Sequence, residues 1–451
     1  MQVLASKNHR RDTRPSSEGA PATKGPLLTW LQRHRLRRLL RASLWITPAA
    51  CMAAALAVAP LIRRLDEATR WSLFGFGPAG ARALTAAFVS TTFTCIVFVF
   101  TILLVAVQIA SAQLTPRIIA RAFANNATRA AVGLFAFTFV YGLAVLSRID
   151  ASVPQLGIAL TIVLNMATIA TFVYLVSYLG EHLRPVSVLT DVGNQGIRVV
   201  EQVYPSRPTE ETAPAEVLAA PSQTVELSSK SGVVLALDIK GLTALAERED
   251  CIIEVVPRVG DFVARGDPLF NIYGGSRRLD TPVRESIALG SERTMEQDPA
   301  FAFRIIVDIA LKALSPAIND PTTAVLAIDQ IHHLLRKVGL RQLDSGVMRD
   351  RAGRVRLVHR TPDWEDFVEL AITEIRQYGA DSVQVSRRLL AMLENLLASL
   401  PPTRTGPLRT ELTLLQESVA LHFRSAEDRA RASQPDSQGV GGTSGSRTKV
   451  P

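Results

Sequence analysis

Ala83–Leu114 reads ALTAAFVSTTFTCIVFVFTILLVAVQIASAQL, an unbroken run without a charged side chain, closed by Thr115, Pro116 and Arg117. At about 1.5 Å rise per residue these roughly 32 residues make a helix of about 48 Å, longer than the ~30 Å hydrocarbon core of a bilayer. The run therefore predicts a membrane span whose far end protrudes. Its polar residues are phased. At a helical repeat Ser90, Thr94, Thr101, Gln108 and Thr115 share a narrow arc, with Ala83, Ala87 and Ala112 close to it and Val97 and Leu104 interrupting it. Two arrangements fit the stripe: a water-facing surface of a pore or cavity built from several copies, or a seam of small residues where neighbouring helices pack closely.

Three further apolar stretches surround this one. Leu44–Ile62 carries Pro48 and Pro60 near its ends, Ala130–Leu146 lies between Arg129 and Arg148, and Val153–Leu179 stops before Glu181, His182 and Arg184. Four spans are predicted. Arg33, Arg35, Arg37, Arg38 and Arg41 precede the first, and Arg117, Arg121 and Arg129 lie between the second and third with no acid among them. The opposite loops offset Arg63, Arg64, Arg70 and Arg82 with Asp66 and Glu67, and Arg148 with Asp150. By the positive-inside rule both termini and the large polar half face the cytoplasm of a bacterial inner membrane. Asn165 sits at mid-depth of the fourth span with Thr161 and Thr168 on its face; an interhelical hydrogen bond explains it as readily as a transport role.

The 451 residues carry a net charge of +9 with 20% charged side chains, so apolar residues must be concentrated in segments. Membrane flanks account for the excess Arg without invoking nucleic acid, and the lipid bilayer is the expected partner. Cys51, Cys95 and Cys251 have no paired spacing, and neither disulfide nor zinc site is indicated. The first apolar run starts too late for an ordinary cleaved signal peptide, which predicts a retained N-terminus. Leu27–Arg41 mixes Leu and Trp with five Arg, fitting either a juxtamembrane helix on an anionic leaflet or a solvated basic flank.

Beyond the spans, Pro205–Ser222 has linker composition. Gly232–Asp238 and Cys251–Val256 read as strands, with a short helix at Leu242–Glu249 between them. The spacing G-D-x-V-x-x-G-D-x-L at Gly260–Leu269 resembles half of the biotinyl and lipoyl carrier barrel. Gly274 and Gly275 stand where a carrier presents its modified Lys, and Lys240 lacks that context, so no covalent cofactor is expected. Asp298-Pro299 and Asp320-Pro321 each place a capping carboxylate before a proline at the first helical position, predicting an antiparallel hairpin of helices to Leu314 and to Val338, the second capped by Gly339. Arg304 and Asp308 stand one turn apart. Further on, Arg354–His359 reads as a strand, Asp363 caps a helix to Tyr378, Asp381 caps another over Ser382–Leu400, and Leu408–Phe423 forms a last helix with Leu412, Leu415 and Val419 inward.

The division is a basic N-terminus (1–42), a four-helix transmembrane domain (43–184), a connector (185–222), a small barrel-like β-rich module (223–285), a helical cytoplasmic bundle (286–428) and a disordered tail (429–451). The fold class is thus an α-helical polytopic membrane domain followed by a soluble α+β domain. Walker, dinucleotide, nucleophile-elbow, zinc-protease and EF-hand patterns do not occur, and adjacent His332 and His333 diverge too far around a helix for joint metal ligation. No cofactor or metal is expected.

RTMEQDPAFAFRIIVDIALKALSPAINDPTTA at 293–324, with IASAQLTPRII after the second span and GLFAFTFVYGLAVL in the third, resembles the bacterial predicted-membrane-protein family called domain of unknown function 2254. The resemblance spans residue 40 to about 425 and implies an integral membrane protein with a soluble C-terminal half, with no activity attached. The leading functional expectation is a homo-oligomeric, channel- or transport-related protein, with Ser90, Thr94, Thr101, Gln108, Thr115 and Asn165 as pore or cavity candidates. A small ion or anion is the ligand class. The alternatives are a membrane-anchored enzyme or ligand sensor using Arg293, Arg304, Asp308, Ser315, Pro316, Asn319 and Asp320, or an interaction scaffold. Backbone N–H groups at the second helix's N-terminus, in the Ala313–Ala324 connector, could hold an anion or carboxylate, but a capping Asp320 would already occupy them.

Overall fold

Helix α1 (Trp30–Ala42) precedes four helices long and apolar enough to cross a membrane: α2 (Ile46–Thr69), α3 (Pro78–Gln113), α4 (Asn126–Leu146) and α5 (Gln155–His182). The structure, a computed structural model, describes residues 29–42, 45–69, 75, 77–113, 126–149, 153–182, 184–205, 220–275, 277–343 and 345–440, the side chains of 41–42 and 109–113 excepted. Helix α2 outruns the apolar stretch by two turns, and an exposed Arg63–Glu67 pair at 2.6 Å, one turn apart, lies on the extension. Helix α4 packs against α2, α3 and α5. Close approach there requires glycine: a Cβ on Gly142 would lie 2.9 Å from Val89 Cγ2. Ala55, Ala59, Tyr141 and Val145 fill one buried cluster of the bundle, and Val99, Leu103, Phe135 and Leu175 another.

A mixed α/β region follows. Helix α6 (Pro185–Val203) begins three residues after α5 ends, inside the segment expected to be a connector. Its apolar stripe, Val188, Leu189, Val192 and Val200, is buried against α9 (Pro299–Ala313) and α10 (Pro321–Gly339), the predicted hairpin. A Cβ on Gly196 of α6 would lie 2.8 Å from the Cβ of Ala302. The hairpin core includes Ile305, Ile309, Ile328, Ile331 and Leu335, and is completed by α11 (Trp364–Tyr378), α12 (Val383–Ser399) and α13 (Thr405–His422). Phe367 of α11 lies 5.4 Å from Phe303 and meets Tyr204 edge-on at 6.3 Å.

The strands are β1 (Gln223–Glu226), β2 (Gly232–Leu237), β3 (Cys251–Val255), β4 (Phe262–Val263), β5 (Pro268–Gly274), β6 (Ile287–Gly290), β7 (Val347–Arg349) and β8 (Val355–His359). They form two open sheets, β1-β5-β3-β8-β7 and β4-β2-β6, so the expected barrel is absent. The glycine turns that suggested it do form: Gly260 and Gly266 adopt φ of 97° and 95°, and the Asp following each accepts from the backbone three residues back, at 2.8 Å in both. Closure fails because β4 has two residues and pairs with β2, while the edge of β3 is taken in parallel by β8, Ile253 opposite Leu357. The β module therefore recruits a hairpin from beyond α10. Helices α7 (Ile239–Arg248) and α8 (Asp280–Arg284) complete it.

Three local expectations shift. Ser382, not Asp381, caps α12, its side chain accepting from Val385 N at 3.4 Å. Helix α10 runs through Gly339, and Leu340 takes the C-cap position. The predicted disordered tail is ordered to residue 440: α14 (Ala426–Ala432) is followed by a segment in which Asp436 N–H donates to the Arg387 carbonyl at 3.1 Å and Arg387 Nε to the Gln434 carbonyl at 3.0 Å. Helix α1 packs Trp30 and Leu31 against Leu235, Ala236 and Ala288 of the smaller sheet.

Candidate functional site

Ser90, Thr94, Thr101 and Gln108 are exposed along one face of α3, and Thr115 lies outside the described residues. The opposite face, carrying Thr92, Val99, Leu103 and Ala106, is the buried one. Thr94 and Thr101 donate their hydroxyls back to the carbonyls of Ser90 and Val97 at 3.0 and 2.9 Å, so neither is an unsatisfied donor. The stripe is thus an outer surface of one chain, flanked by exposed Phe93, Phe98 and Phe100.

Asn165 is not part of that face. It is buried between α5 and α3, where Nδ2 donates to the Phe88 carbonyl at 2.9 Å and to Thr92 Oγ1 at 3.0 Å. Thr168 Oγ1 reaches Thr138 Oγ1 at 3.3 Å, and Thr161 donates to the Gly157 carbonyl at 2.8 Å. Asn165 and Thr168 of this row thus join α5 to its neighbours, while Thr161 is satisfied within its own helix.

The candidates around the soluble hairpin are spread along α9, which at 1.5 Å per residue is about 22 Å long. At its start Arg293 clamps Asp298 through two hydrogen bonds, one of 3.1 Å, and lies 5.6 Å from the Phe301 ring, while Asp298 accepts from Phe301 N at 3.1 Å as the helix cap. Burial pushes the Asp298 carboxyl above the usual carboxylate range, opposed by Arg293. Mid-helix, Arg304 binds Asp308 at 2.6 Å and both carboxylate oxygens of Glu374 at 2.6 and 2.9 Å, so α9 is tied to α11. Those hydrogen bonds hold Glu374 below the usual range. At the far end Ser315 Oγ donates to the Lys312 carbonyl at 2.7 Å, and Asp320 accepts from Thr323 N at 3.1 Å and Thr323 Oγ1 at 2.6 Å. Pro316 and Asn319 are exposed in the turn, Asn319 with φ of 48°. Five of the seven residues serve capping or intramolecular pairing at separate points of the α9–α10 hairpin, while Pro316 and Asn319 lie exposed in its turn.

His332 contacts Asn395 Oδ1 at 2.9 Å, and burial lowers its basicity. Among the described residues no group of three His, Cys, Asp or Glu side chains is arranged to hold a metal ion.

Two cavities open in the membrane bundle at residues the sequence did not single out. An apolar groove of about 520 Å³ runs between α2, α3 and α4, lined by Trp45, Met52, Phe100, Leu104, Val132 and Phe139, with Thr128 and Arg129 as its polar residues. A polar cavity of about 440 Å³ lies between α2, α4 and α5, bordered by Arg63, Asp66, Glu67, Tyr141, Ser147 and Arg148. There Asp66 accepts from Leu156 N at 2.9 Å, fixing the end of α2 to the start of α5. A charged pair such as Arg63 and Glu67 past the end of an apolar run is the signal that could have marked this cavity.

The family described as "Predicted membrane protein (DUF2254)" matches residues 41–395. Uncharacterized proteins of Mycobacterium bovis and of Mycobacterium tuberculosis strain H37Rv are each 27% identical over 376 residues, covering 79% of this chain and 72% of theirs. No solved structure matches the chain. The chain belongs to this predicted-membrane-protein family.

Proposed function

Starting from that membership, we propose that the protein self-associates through α3 into a channel- or transport-related assembly of the bacterial inner membrane. Both termini are cytoplasmic, and the α/β region acts as a vestibule or sensor. The observation that carries this reading is the outward row Ser90, Thr94, Thr101 and Gln108. Lined by water or closed as a seam, such a face is completed by other helices rather than by acyl chains. The packing of α1 on the smaller sheet supports placing the N-terminus and the α/β region on one side, as four spans require, and the basic flanks favour the cytoplasmic side. The membrane domain is then residues 43–184, with small ions or anions as the permeant class.

The alternative of a membrane-anchored enzyme or ligand sensor using the hairpin residues gains no support from them, because Arg293, Arg304 and Asp320 are engaged at separate points of the α9–α10 hairpin. The deciding experiment pairs the mass of the solubilised chain with flux across liposomes. The expected result is several chains per particle and permeation that Thr94→Phe and Thr101→Phe abolish. A single-chain mass, with no permeation under voltage, tension or a pH step, defeats the reading. Reporter fusions at Val440 active outside the inner membrane defeat the orientation.

A further inference from the structure

The apolar groove of about 520 Å³ between α2, α3 and α4 has an uneven wall. Most of its length is hydrocarbon, including Met52, Leu104 and Phe139, and the polar groups sit together at the start of α4. Thr128 is 1% exposed and its Oγ1 has no hydrogen-bond partner among the described residues. A buried hydroxyl left unsatisfied costs on the order of the desolvation of that group, so its place beside a groove points to an acceptor supplied from outside the chain. Arg129 adjoins it in the lining, and Trp45, 78% exposed, lines the groove as well. Hydrocarbon below, a hydroxyl donor and a guanidinium above, and an indole at the rim match an acyl chain that ends in an anionic phosphate.

We propose that this groove binds one anionic phospholipid, an acyl chain lying in the trough and the phosphate meeting Thr128 Oγ1 and the Arg129 guanidinium. A zwitterionic lipid with the same chains fills the trough equally well but brings a trimethylammonium group toward Arg129. The discrimination therefore resides in the headgroup. A basic residue near an anionic lipid surface is worth about fivefold in binding. The proposal does not require α3 to self-associate.

The test is native mass spectrometry of the full chain released from nanodiscs containing equal phosphatidylglycerol and phosphatidylcholine of identical chains. The wild type is expected to retain one phosphatidylglycerol about fivefold more often than phosphatidylcholine. Arg129→Gln should bring the ratio toward one while still retaining lipid, whereas Thr128→Val, which keeps the shape and removes a phosphate donor common to both lipids, should lower the retention of both and leave their ratio in place. Ala136→Phe, inside the trough, should lose both lipids. Equal retention by the wild type overturns the proposal, as does a preference that Arg129→Gln leaves intact. A change of Ala136→Phe in particle mass with unchanged lipid retention also overturns it, because a second copy then fills the groove. Should Ala136→Phe fail to fold, the wild type and Arg129→Gln decide alone.

Discussion

Asn165 Nδ2 lies 3.0 Å from Thr92 Oγ1, and this bond joins the last membrane helix to the longest one at the buried face of each. Thr92 also donates to the Phe88 carbonyl at 3.0 Å, so it keeps a partner when Asn165 is removed. Asn165→Leu is therefore expected to cost about 0.6–1.7 kcal/mol, the range for an interhelical hydrogen bond in a membrane. Unfolding in mixed micelles checks this; a loss above roughly 3 kcal/mol, the scale of a disrupted core, would mean the residue does more than tie two helices.

Gly196 of α6 faces Ala302 and Leu334, and two opposing terms decide its substitution. Alanine gains up to about 1 kcal/mol of helix propensity over glycine. Its Cβ would lie 2.8 Å from the Ala302 Cβ and 3.0 Å from Leu334 Cδ2, and Ala302 has no rotamer by which to withdraw. Overpacking of a dense core costs about 1–3 kcal/mol, so Gly196→Ala should be net destabilising and Gly196→Val more so. Urea unfolding of the two variants orders them.

The bidentate contact between Arg304 and Glu374 looks strong, yet the Glu374 side chain is 42% exposed. Partial solvation limits the coupling to about 1 kcal/mol or less. A double-mutant cycle with Arg304→Met and Glu374→Gln should return that value and decline in high salt.

Arg356 is buried on β8 and donates to Asp350 at 3.0 Å and to Asp250 at 2.8 Å. Burial would raise the Asp350 carboxyl, but the Arg354 backbone, the Arg356 guanidinium and the Ala352 backbone outweigh it and hold it at about 2, against an ordinary 3.8. A depressed folded value stabilises above the unfolded one, and that contribution is lost as pH falls from about 4 through 2. Melting temperature measured down that range should fall more steeply in the wild type than in Asp350→Asn, which lacks the titrating group.

The four spans were legible because uncharged runs and their Arg flanks leave no other solvent for such side chains. The hairpin was legible because Asp298-Pro299 and Asp320-Pro321 fix both a cap and a φ angle within two residues. What escaped depends on partners remote in sequence. Nothing near Ile253 announces that Leu357 will lie beside it, and the glycines at 260 and 266 determine turns without determining which strand each turn feeds. Gln434 and Asp436 sit in a stretch of low-complexity composition, yet they meet the backbone and guanidinium of Arg387, a residue on another helix. For the candidate sites, periodicity placed the polar row of α3 on one face but could not say whether that face turns inward, and only packing reveals that Thr92 is the buried side.

The Ser187 hydroxyl donates to the Glu181 carbonyl at 2.8 Å, stapling the joint between α5 and α6. Because α6 is wedged into the centre of the α9–α10 hairpin, the last membrane helix and the aqueous domain share a lever with a short, braced elbow. A change in the tilt of α5 would therefore have to be taken up by α6 and the hairpin packed against it, since the joint between the two helices is two residues long.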